Sequence, residues 1–125
     1  MRAGMLAAWV CASVGVASAA SAASLGTPDE ATIAKLEARL QMPPGAAPLA
    51  HFDRYYAYSD TQKSGRLTIV GFFMPASGAS GAGQVHRLSD WRQMPIVFDG
   101  GCSYVQVWWD VKDERIVQAG CNGIA

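Results

Sequence analysis

Apolar residues fall into a helical rhythm at Ile33, Leu36 and Leu40, with Ala34 and Ala38 along the edge of the stripe and Lys35, Glu37 and Arg39 facing elsewhere. That pattern predicts one amphipathic helix over residues 28–41. Its start is written in Thr27-Pro28-Asp29-Glu30. Thr27 can cap, Pro28 suits the first helical position, and Glu30 completes a capping box. Pro43-Pro44-Gly45 ends the helix.

Downstream the rhythm changes to that of strands. Residues 51–59 are rich in Tyr and Phe, and residues 67–74 form a β-branched and aromatic run. The polar stretch between them holds Ser64-Gly65, so the two runs predict an antiparallel hairpin. Residues 75–83 contain only Pro, Ala, Ser and Gly. Nothing there can anchor in a core, and a flexible loop is expected. Residues 85–88 suggest a short strand, and residues 94–98 another, with Pro95 arguing for an edge. Asp99-Gly100-Gly101 is a turn. Residues 104–109 are the clearest strand, and residues 115–121 are their partner across a loop at 110–113.

One helix followed by four or five antiparallel strands is an α+β arrangement, with the N-terminal helix packed on one face of the sheet. In outline it resembles the cystatin-like fold. The inhibitory pattern of cystatins (Gln, any, Val, any, Gly) is absent, because Gln106-Val107-Trp108-Trp109 has the wrong spacing and no glycine.

The first residues follow neither rhythm. Arg2 is the only charge before Asp29, and an apolar run from Met5 to Ala17 leads into Ala17-Ser18-Ala19 and Ala20-Ser21-Ala22. This is the pattern of a signal peptide over residues 1–22, leaving a single domain over 23–125. The run is too short for a transmembrane helix, and no membrane span is expected after cleavage. The expected location is periplasmic or secreted. Of three cysteines, Cys11 lies within this segment and follows Ala8-Trp9-Val10, which is not the Leu-small-small context of an acylated cysteine. Cys102 and Cys121 remain, and in an oxidising compartment they should form a disulfide. Placing Trp109 opposite Glu114 across the hairpin sets Cys102 opposite Cys121. A bridge there is worth about 3 kcal/mol in the chain-entropy view. Gly100-Gly101-Cys102 with Cys121-Asn122-Gly123 resembles small exported bacterial proteins. That resemblance covers only the C-terminal part of the chain and implies no activity.

Charge and chemistry narrow the reading mostly by exclusion. Loss of Arg2 leaves nine basic residues against ten acidic, a balance that recruits neither nucleic acid nor an anionic membrane. The two histidines, His51 and His86, have no metal-ligand spacing around them. Gly78-Ala79-Ser80-Gly81-Ala82 comes near a nucleophile elbow but sits in an Ala/Ser/Gly tract with no helix after it. Phosphate-binding glycine patterns are missing, so no cofactor or metal is expected. Asp53, Asp60, Asp90, Asp99 and Asp110 read mainly as turn residues.

The aromatics are the remaining signal. Alternation puts Val105, Val107 and Trp109 on one face, toward the helix, and Tyr104, Gln106, Trp108 and Asp110 on the other. Phe52, Arg54, Tyr56 and Tyr58 form a similar mixed face on the early strand. Tyr56, Tyr58, Tyr104 and Trp108 are therefore the expected binding surface, on the side of the sheet that the helix leaves uncovered. The reading is a small exported, disulfide-stapled binding or accessory protein of the cell envelope, non-catalytic, with a protein partner there. Two alternatives stand beside it. One is a small envelope hydrolase using a carboxylate or His51; the other is a structural or stress-related envelope protein.

Overall fold

Asp29, rather than Thr27, caps the helix. Its carboxylate accepts the amide of Thr32 at 2.7 Å, and the helix α1 runs Glu30–Arg39. Pro28 lies before the cap, buried, with its carbonyl accepting from Arg87 at 3.1 Å. Asp29 outcompetes Thr27, two residues earlier, because its charge also suits the positive helix end. The structure is a computed structural model that describes residues 25–59 and 65–123. The stretch read as a signal peptide lies outside them.

Five strands follow: β1 (Phe52–Ser59), β2 (Thr68–Pro75), β3 (Val85–Arg87), β4 (Val105–Asp110) and β5 (Arg115–Cys121). They form one sheet in the order β3-β1-β2-β4-β5. The pairs β1–β2, β2–β4 and β4–β5 are antiparallel, while β1–β3 is parallel. The class is α+β as expected, but the sheet is mixed rather than wholly antiparallel. The cause is the Ala/Ser/Gly loop. It leaves β2 at Pro75, opposite Phe52 at the start of β1, and wraps around that end, so β3 sets off in the direction of β1.

That loop is tied down rather than free. Asp53 receives the amide and hydroxyl of Ser77 on one oxygen, at 3.3 and 3.2 Å, and the amide of Gln84 on the other at 3.0 Å. The amide of Gly83 donates to the carbonyl of Ala50 at 2.7 Å. A buried aspartate supplies the anchor that the loop's own residues lack.

Residues 94–98 are not a strand. Since β3 and β4 are separated by β1 and β2, the chain from Leu88 to Tyr104 must cross the sheet to join them. It does so on the face opposite α1, as an irregular strap with short 3-10 turns at Trp91–Gln93 and Gly101–Ser103.

The core lies between α1 and the other face. Ile33 and Leu36 pack on Phe52, Tyr56, Ile69, Phe73, Val105, Val107 and Trp109. Pairing sets Tyr56 opposite Gly71, and a Cβ on Gly71 would come within 2.9 Å of the tyrosine ring. The glycine is there to let the ring lie across β2.

The Cys102–Cys121 disulfide is present. Its register is not the expected one. A bulge at Trp108/Trp109 shifts the ladder, and Cys121 pairs with Val105. Cys102 reaches it because the Gly101–Ser103 turn folds the chain back, bringing the two Cα atoms to 4.5 Å. Gly100 enters that turn at φ 104°, with the Tyr104 ring 2.5 Å from where a Cβ would stand. Only glycine meets both conditions.

Candidate functional site

The four aromatics proposed as one surface lie on two faces. Tyr56 is fully buried under α1, and Tyr58 packs against the same core. Tyr104 and Trp108 lie on the opposite face, as expected. The error on β1 came from Arg54, whose charge marks its face as solvated. Glu37 draws Arg54 inward instead. Arg54 Nε and Nη2 bind the two Glu37 oxygens at 2.6 and 3.3 Å, with both side chains less than one-fifth exposed. Tyr56 donates its hydroxyl to the same carboxylate at 2.8 Å. Burial, and then the Glu37 charge, raises the phenol pKa far above its ordinary value, so Tyr56 stays a neutral donor. This trio joins helix to sheet.

The face away from α1 carries the open chemistry. The strap from Leu88 to Tyr104 covers part of it and leaves a cleft of about 300 Å³ between itself and the sheet. β2 contributes Val70 and Phe72, β4 contributes Gln106, and the strap contributes Trp91, Met94 and Ile96. Along the strap, Trp91, Ile96 and Phe98 are 44%, 76% and 85% exposed. Arg92 lies over the Trp91 ring at 5.3 Å and pairs with Asp90 at 3.2 Å. Tyr104 stacks on Phe72 at a centroid distance of 6.0 Å and so forms part of the floor beside the cleft.

Asn122 holds the strap in place; the sequence marked it only as part of the Cys121-Asn122-Gly123 run, with no role of its own. It is buried, donates to the carbonyls of Val97 and Asp99 at 2.7 and 3.0 Å, and accepts from Gln106 at 2.8 Å. Both amide hydrogens and the carbonyl oxygen thus tie strap to sheet. Its position directly after Cys121 was visible, but without the strap's path there was nothing for it to hold.

Trp108 lines a second groove, of about 270 Å³, with Arg66, Thr68, Arg115 and Gln118. Asp110 stands at its base, accepting from Arg66 at 2.8 Å and from the amide of Asp113 at 2.9 Å. Those bonds, the Asp113 amide foremost, hold the Asp110 carboxyl below its usual value.

Among the described residues, which do not include Asp60, those weighed for catalysis do not converge. His51 lies in a 3-10 turn before β1 and is exposed. It borders a hollow with Gly45, Phe52, Pro75, Cys102 and Ser103, none of which is a carboxylate. His86 stacks on Tyr55 at 4.5 Å. Asp53 and Asp110 are committed to backbone amides. No group of three metal-binding side chains occurs among the described residues. No helix among them is long and apolar enough to cross a membrane. The cystine and this lack of a span are compatible with an extracellular or periplasmic protein. Compared with protein-family models, curated proteins and solved structures, the chain matches none of them.

Proposed function

We propose that this chain is a small exported binding or accessory protein of the cell envelope, and that it acts by recognition rather than catalysis. Its recognition surface is the strap cleft with the flanking Tyr104 and Trp108. One observation carries the reading. The strap, pinned by Asn122, turns the large apolar side chains Trp91, Ile96 and Phe98 to solvent beside an apolar cleft. Exposed apolar residues grouped around a concavity mark interaction sites more often than single ones do. The chemistry fits an apolar side chain of a protein partner, with Gln106 and Arg92 the polar residues lining the cleft. The apolar leader and the cystine support export.

A photo-crosslinking side chain at Ile96, introduced in the expressing cell, tests this directly. The expected result is a discrete crosslinked species that a crosslinker at Lys35, on the helix side, does not give. Trp91→Ala should reduce its yield without changing the melting temperature. Equal crosslinking from both positions would remove the cleft as the recognition surface.

A further inference from the structure

The two edges of the sheet are built differently. β3 is three residues long and one of them is Arg87, the usual way in which an edge is blunted. β5 is seven residues long, and from Ile116 to Cys121 it carries neither charge nor proline. The ladder fixes where its main chain points. The amide of Asn122 donates to the carbonyl of Tyr104 at 2.8 Å, and hydrogen-bonded pairs recur every second residue along the register, at Gln106–Gly120 and Trp108–Gln118. Ala119 and Cys121 lie between those pairs, so their amides and carbonyls point away from β4. Neither makes a main-chain bond to another segment among the described residues. A Cβ on Gly120 would meet nothing within 4 Å.

We propose that this edge pairs with the same edge of a second copy, β5 against β5 in antiparallel fashion. Two sheets then become one about a two-fold axis at Gly120. Ala119 of each copy faces Cys121 of the other, and the outward groups of both are used in about four new hydrogen bonds. A second copy is the occupant because the strip is self-complementary. Antiparallel apposition sets neutral residues against neutral ones and puts glycine on the axis, while Arg115 stays clear of the overlap. The near-zero net charge adds little long-range repulsion. Only one strand from each copy takes part, so the association is weak and concentration-dependent. The inference is independent of the strap cleft, which lies on a face and not at the edge.

Sedimentation velocity on the oxidised protein over a wide concentration range is the test. The expected result is a rise toward twice the monomer mass. Ala119→Pro should stay monomeric throughout, with its circular dichroism and cystine retained, because its amide is not used within the sheet. Gly120→Lys is a second route that leaves every backbone bond in place and sets two like charges across the axis. It too should be monomeric, with partial recovery of the dimer in high salt. A wild type that stays monomeric at all concentrations overturns the proposal, even if another extended chain binds the edge. So does a dimer that survives both substitutions.

Discussion

Asp53 fastens both ends of the β2–β3 loop with one carboxylate, and the amides of Gln84 and Ser77 hold its carboxyl below the usual 3.8. Asp110 is lowered in the same way. A group whose folded-state pKa is depressed contributes stability above its unfolded value and loses it as pH falls through the folded one. The melting temperature should hold between about pH 7 and 5 and fall below about pH 4. Asp53→Asn should flatten part of that fall, and an unchanged acid limb would assign it to other groups. Glycines sort as sharply. Gly71→Ala drives a methyl into the Tyr56 ring and should cost about 1–3 kcal/mol by urea denaturation. Gly120→Ala, with open space beside it, should stay within about 0.5 kcal/mol. Little of this was legible in the sequence. Asp53 reads with the other aspartates as a turn residue, and only the path of a loop more than twenty positions later makes it an anchor.

At the scale of elements, α1 was legible because its period, its start and its stop agree. Ile33 and Leu36 are buried as the stripe predicts, while Leu40 falls at the C-cap and is only half-buried. Leu36→Ala should therefore cost about 2–5 kcal/mol. Leu40→Ala should cost clearly less, and Lys35→Ala at most about 1 kcal/mol, since its pair with Glu114 is exposed. Denaturation midpoints giving equal losses at Leu36 and Leu40 would put the end of the helix elsewhere. The continuous apolar run of β2 and the alternation of β4 were also read correctly as strands. β1 was assigned to the wrong face because alternation gives two faces without saying which is inside. The deciding contact, Glu37 to Arg54, spans seventeen residues. Residues 94–98 have the composition of a strand, but they cross the face of strands already paired on both sides and so lie away from either free edge.

For the whole molecule, the order of the strands could not be read from the chain. That order makes the Leu88–Tyr104 strap necessary, and the strap in turn makes the cleft. The sequence reading left the second face bare, and the structure half covers it. The disulfide was foreseen, but it ties a turn at the end of the strap to the last strand rather than linking facing residues of a hairpin. This has a mechanical consequence. Under tension from its two ends, the chain can pay out everywhere except between Cys102 and Cys121. That interval would keep about 60 Å of contour length in reserve. Stretched in an optical trap, the oxidised protein should give a total extension shorter by about that amount than the same molecule in reductant. Equal extensions would show that the clip is not closed.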